Sequence, residues 1–155
     1  MRNVIKMLGL VSALALSACG DKGDDVGRFV GTWRATSGTY TEVCAGYAPS
    51  TDSITSNVTW DRGVSSDLVT IDLNTGCSIM TDVSGATATG VSPPCTVPLG
   101  GGAIATVNWT GYTFVISPDG HTATENQSAT VTYVVDGATI PCTFTESASY
   151  QKIGN

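Results

Sequence analysis

Little in this chain is equipped for catalysis. His121 is the single histidine, and it follows the turn sequence Pro118-Asp119-Gly120, which places it in a solvated loop rather than beside a nucleophile. Serines are plentiful, yet no Gly-x-Ser-x-Gly elbow occurs. The five cysteines, Cys19, Cys44, Cys77, Cys95 and Cys142, show no Cys-x-x-Cys spacing, so neither a zinc site nor a dithiol redox motif is encoded. The expectation is a non-enzymatic protein with no catalytic residue, no bound metal and no cofactor.

The chemistry that remains is binding. Tyr40, Glu42, Tyr112, Glu125, Gln127 and Glu146 alternate with other residues in Thr- and Val-rich segments. If those segments are strands of one barrel, the row Tyr112, Gln127, Glu146, Tyr40 crosses four neighbouring strands, with Glu125 and Glu42 on the same inner face. Buried carboxylates are costly without partners. An inward acidic wall beside Trp33, Trp60 and Trp109 would therefore receive a cationic or hydrogen-bonding small molecule. A wet barrel mouth, or a one-residue slip that turns the row outward, would make the same residues ordinary surface.

Such a wall needs strands, and the sequence supplies them. Of the 155 residues, 41% are apolar and 13% charged, about half the usual charged share of ~25%, which excludes a coiled coil. The net charge of -6 argues against nucleic acid, which demands a basic face. From Phe29 onward the pattern has period two, with turn residues between runs. Strands are expected near 31–44, 53–61, 66–73, 77–83, 88–97, 103–116, 122–135 and 138–151. These eight sequential segments predict an all-β, antiparallel up-and-down barrel; a β-sandwich is the alternative.

Turn chemistry sets the register. Asn74-Thr75-Gly76 suits a three-residue hairpin pairing Leu73 with Cys77, Ile71 with Ile79 and Val69 with Thr81. A three-residue loop at 85–87 would pair Val83 with Thr89 and carry the odd phase through Val91, Cys95 and Val97. Inward facing passes from Ala105, Val107 and Trp109 to Tyr112, Phe114 and Ile116, which requires a bulge at Thr110-Gly111. Asp136-Gly137 is a two-residue type I′ signal that pairs Tyr133 with Ile140 and Val131 with Cys142. In this register Cys77 faces Cys95, and Cys44 ends the first strand where Cys142 begins the last. Two disulfides follow, Cys77 with Cys95 and Cys44 with Cys142, the second stapling the barrel seam.

The remaining cysteine has its own setting. Arg2 and Lys6 precede the apolar run 7–16, which is too short to span a bilayer and has the form of an export signal. Leu16-Ser17-Ala18-Cys19 resembles the lipobox of bacterial lipoproteins. That resemblance implies cleavage before Cys19 and a palmitate-type lipid anchor on its thiol and new amino terminus. Cleavage would remove two of the seven basic residues, leaving five against 13 acidic ones, a side-chain charge of -8. Gly20, rather than Asp, directly after Cys19 favours the outer over the inner membrane by the sorting rule of such proteins. The expected organisation is a signal peptide at 1–18, a lipidated flexible tether at 19–28 and one barrel domain at 29–155.

Gly31-Thr32-Trp33, at the start of the first strand, resembles the Gly-x-Trp motif of lipocalins and the wider calycin group, which includes avidins. The resemblance implies that Trp33 plugs the closed end of the barrel. No Thr-Asp-Tyr motif and no C-terminal helix follow, and where lipocalins lay an Arg over the Trp the nearest basic residue is Lys152. The expectation is a monomeric lipoprotein of the cell envelope, tied to the membrane by its N-terminal lipid and binding a small molecule in a lipocalin-like barrel. The alternative is a non-catalytic structural or protein-interaction lipoprotein with an envelope protein as partner. Behind both stands an inhibitor acting through loop 45–52 or Pro93-Pro94.

Overall fold

A computed structural model describes residues 22–63, 68–72, 77–90 and 92–155. The signal segment, Cys19, the turn at Asn74-Thr75-Gly76 with its Leu73 pairing, and Val91 lie outside them. A short helix, α1 (Lys22–Phe29), precedes ten strands: β1 (Gly31–Cys44), β2 (Ser50–Ser53), β3 (Asn57–Arg62), β4 (Leu68–Asp72), β5 (Ser78–Ser84), β6 (Thr87–Gly90), β7 (Cys95–Gly100), β8 (Ala103–Ile116), β9 (Thr122–Val135) and β10 (Ala138–Gly154). The protein is all-β and every strand pair is antiparallel.

The hydrogen-bonded path runs β10-β9-β8-β6-β5-β4-β3-β1, and β1 pairs again with β10. Those eight strands form the ring of an up-and-down barrel. It is complete at one end only. There β1 pairs with β3 through Gly31–Arg34, and β8 pairs with β6 through Thr113–Val115. Further along, β1 exchanges β3 for β2 at Thr39–Glu42, and β8 exchanges β6 for β7 at Ala103–Val107. No pairing joins β2 to β7 among the described residues, so this second end is a splayed sheet, β2-β1-β10-β9-β8-β7, open on one side.

Three local features produce that shape and correct the expected strand boundaries. A register shift between Ala35 and Ser37 bends β1 against β10 and moves the inward phase from Trp33 to Tyr40 and Glu42. The partner strand cannot follow the bend, so the expected strand 53–61 is two strands, interrupted at 54–56. The expected strand 88–97 is likewise two, β6 and β7. Pro93 and Pro94 lack the amide hydrogens that would continue a ladder. The loop after β5 is also shorter than expected: Ser84 pairs with Thr87 and Val83 with Ala88, not Thr89. Gly85, at φ 59°, supplies the positive φ that a two-residue turn needs at its first position.

Other register expectations coincide with the structure. Ile71 pairs with Ile79 and Val69 with Thr81. A shift between Trp109 and Gly111 marks the bulge in β8, and after it Tyr112, Phe114 and Ile116 are buried. Asp136 and Gly137 both have positive φ, as a type I′ turn requires, with Tyr133 opposite Ile140 and Val131 opposite Cys142. Disulfides join Cys44 to Cys142, which are direct ladder partners, and Cys77 to Cys95. Cys77 and Cys95 are not ladder partners, because β7 has left the ring; their bond ties the start of β7 back to the start of β5.

The closed end holds the main core. Phe114 is its centre, with ring centroids 4.5 Å from Trp60, 5.3 Å from Trp33 and 5.6 Å from Tyr150. Residues 22–28, read from composition as part of a flexible tether, are instead the plug of this end. Val26 and Phe29, three apart on one face of α1, are both 0% exposed within the core. A Gly- and Asp-rich octapeptide has weak helix propensity; burial of that apolar face against the barrel stabilises it instead. The Trp33 indole N–H donates to the Phe29 carbonyl at 2.8 Å, and Arg28 donates to the Ser117 carbonyl at 3.2 Å. These bonds fasten the plug to β1 and to the β8–β9 turn.

Candidate functional site

The open end offers a cleft of about 330 Å³. Its floor is the inner face of β8, β9 and β10, and its sides are β1 and β7. Period-two alternation places Val107, Ala129, Val131 and Phe144 on the floor, while Val97 and Leu99 come from β7. Polar tips are few. Tyr40 and Glu42 reach in from β1, Gln127 and Tyr133 from β9, and Trp109 from β8. The Trp109 indole N–H donates to Gln127 Oε1 at 3.3 Å. Tyr133 donates its hydroxyl proton to Glu42 Oε1 at 2.7 Å; burial, followed by that carboxylate, pushes the phenol up to about 12. Tyr40 stacks on Phe144 at 5.7 Å.

The expected row is continuous. Tyr112 pairs with Gln127, Gln127 with Glu146 and Glu146 with Tyr40. Depth divides it. Tyr40, Glu42, Gln127 and Trp109 line the cleft. Glu125, Gln127 and Glu146 line a smaller pocket of about 190 Å³ with Ser56, Asn57, Val58 and Tyr150. Tyr112 sinks into the closed-end core, where Gly90 makes room: a Cβ there would stand 2.5 Å from the Tyr112 Cβ. Trp33 and Trp60 do not flank a ligand space, since both are wholly buried in the closed-end core. The bend in β1 separates them from Tyr40 and Glu42.

Electrostatics distinguishes the inner pocket from the cleft. Glu125 is 1% exposed, and neither its oxygens nor the Tyr112 hydroxyl has a partner in full hydrogen-bond geometry, although Tyr112, Tyr150 and Glu146 face the carboxyl. Burial pushes the Glu125 carboxyl up. Burial, and then the neighbouring Glu125, raise Glu146 to about 7. Burial and Glu125 together push the Tyr112 and Tyr150 phenols up. Two adjoining carboxyls that resist ionising can hold one proton between them.

His121 is exposed on the β8–β9 turn, and its carbonyl accepts the Lys152 amide. Glu42, Cys44 and Cys142 place donor atoms within 4.8 Å of one another, but both sulfurs are committed to their disulfide. Tyr133, Phe144 and Leu99 in the cleft, and Asn57 and Tyr150 in the inner pocket, are not among the site residues expected from the sequence. Tyr133 and Phe144 were legible as inward positions of β9 and β10. Leu99 and Asn57 depend on where β7 and β3 lie, which no local signal gives.

Fold and site together define a half-open antiparallel barrel with a plugged end and a cleft. The chain matches no protein-family model, no curated protein and no solved structure.

Proposed function

We propose that this protein is an exported, lipid-anchored binding protein of the cell envelope that holds a small molecule in the cleft at the open end of its barrel. The carrying observation is the cleft itself. Its volume of about 330 Å³ lies at the small end of the ligand-site range of ~300–1,000 Å³. Its walls are apolar, with a few inward polar groups that can fix orientation. A barrel under no demand to bind would fill such a space with side chains, as the closed end does. Export is supported by two disulfides, which persist in oxidising compartments. Anchoring rests on the likeness of Leu16-Ser17-Ala18-Cys19 to a lipobox, and an outer-membrane address on Gly20.

The lipocalin-like reading gains a geometric parallel: Trp33 is buried at the closed end, and Lys152 takes the covering place that lipocalins give to an Arg. A protein-interaction role is the second reading. It is favoured by the exposed apolar rim of the open end, where Tyr47 is 64% exposed and Val43, Ile104 and Val135 are also exposed.

Titration with the neutral fluorophore N-phenyl-1-naphthylamine tests the cleft. Saturable one-to-one binding is expected, and Val107→Trp, which fills the cleft from β8, should abolish it. Failure to saturate, or equal binding by the variant, refutes the carrier reading. Palmitate labelling that survives Cys19→Ser refutes the anchor.

A further inference from the structure

Between the packed end and the cleft, β9 and β10 hold Glu125 and Glu146 on one inner wall. Gln127 lies two residues beyond Glu125 on the same face and is the ladder partner of Glu146. Neighbouring inward positions on these strands are Ala123, Ala129, Val131 and Ala148, all buried and apolar. Volume alone would be met by more of the same. Glu125 is instead 1% exposed with neither oxygen in full hydrogen-bond geometry, and it borders an inner pocket of about 190 Å³. An unpaired buried carboxyl is expensive. The groups that face it, Tyr112, Tyr150 and Glu146, bring no positive charge, so a cation from outside the chain is the complement this carboxyl lacks.

Gln127 lines both the inner pocket and the cleft, so the acidic and apolar spaces adjoin at one side chain. We propose that Glu125 and Glu146 receive the ammonium head of an organic amine whose apolar body lies in the cleft along Trp109, Phe144 and Leu99. This assignment rests on the carrier reading and names its ligand class. An ammonium group carries three donors, and Glu125, Glu146 and Gln127 Oε1 offer three acceptors. A bare divalent ion fits less well: calcium takes six to eight oxygens, whereas Val58 and Tyr150 occupy part of this pocket wall. A neutral head would bring no counter-charge to the carboxyls, and an anionic head would be repelled by them.

Calorimetric titration of the oxidised protein with decylammonium, decanol, decanoate and calcium chloride tests the assignment. Decylammonium should bind at one site at least tenfold more tightly than decanol, with decanoate weakest. In Glu146→Gln the preference for decylammonium over decanol should shrink to about threefold or less, and Glu125→Gln should do the same. Glu146 is only half-buried, so its variant keeps the test usable if Glu125→Gln does not fold. Equal binding of decylammonium and decanol overturns the head-group assignment and leaves the cleft standing. Binding of neither probe overturns both. Competition by calcium at equal concentration overturns the organic-amine class, as does an undiminished preference in folded Glu146→Gln.

Discussion

Lys152 and Trp33 are ladder partners across the β1–β10 seam, and the Lys152 ammonium stands 5.5 Å from the centroid of the indole. The same Nζ donates to the Arg28 carbonyl at 3.1 Å, at the C-terminal end of α1. One cation thus covers the barrel-end tryptophan and caps the plug helix, where the helix dipole favours positive charge. Lys152→Met keeps most of the stem and removes the charge. Urea unfolding should show a loss of about 1 kcal/mol, whereas a variant as stable as the parent would show that the contact is incidental.

Phe29 and Val26 bury the apolar face of α1 in the core. Phe29→Ala should cost about 3–5 kcal/mol, the range for emptying a packed aromatic position. It should also expose residues 22–29 to limited proteolysis at protease levels that leave the parent intact. Unchanged cleavage and stability would return this segment to the role of a tether.

The two disulfides close loops of very different length. Cys44 and Cys142 are 98 residues apart, and Cys77 and Cys95 are 18 apart. By loop entropy, replacing the first pair with Ser should cost about 4–5 kcal/mol and the second about 3 kcal/mol. The Cys44/Cys142 variant should also open the barrel seam first, giving faster amide exchange at Thr39–Val43 than at Ile79–Val83. The reverse order would mean that the seam is held by its ladder alone.

Stability should fall as pH rises from the ordinary carboxyl value of 4.5 through about 7. Glu146 is raised to about 7 in the fold, so in that window the unfolded chain has released a proton that the folded chain keeps, and unfolding gains. Below 4.5 the contribution is fully present. Glu125, also pushed up, acts with the same sign. The groups around the pair, Tyr112 on β8, Gln127 on β9 and Tyr150 on β10, bear no positive charge to offset it. Asp119 is held below its ordinary 3.8 by the Ser117 hydroxyl and the His121 amide; its contribution is lost only as pH falls further, outside this window. Thermal melts at pH 4.5 and 7.5 should show a drop in Tm that Glu146→Gln reduces. An equal drop in the variant would assign the effect to other groups.

The candidate wall was legible because its register is encoded locally. Asp136-Gly137 fixes β9 against β10, and the bulge at Thr110-Gly111 fixes β8 against β9. From those two signals Tyr112, Gln127 and Glu146 fall into one row. Tyr40 joins it only because β1 bends at Thr36, a feature with no Gly or Pro at the bulged residue to announce it. The row's division into a cleft and an inner pocket was not legible either, since it depends on β2 and β7 leaving the ring.

The sequence by itself determined the all-β class, the Asp136-Gly137 turn, the bulge at Thr110-Gly111 and the inward positions of β8, β9 and β10. Each is a local consequence of side-chain period or turn conformation. Tertiary structure decided that α1 is a plug, since eight residues with two glycines and two aspartates become helical only where a barrel end can bury Val26 and Phe29. It also decided that one end closes while the other opens into a cleft. Closure depends on which strand β1 and β8 each find beside them along their length, and those contacts bring together residues far apart in the chain.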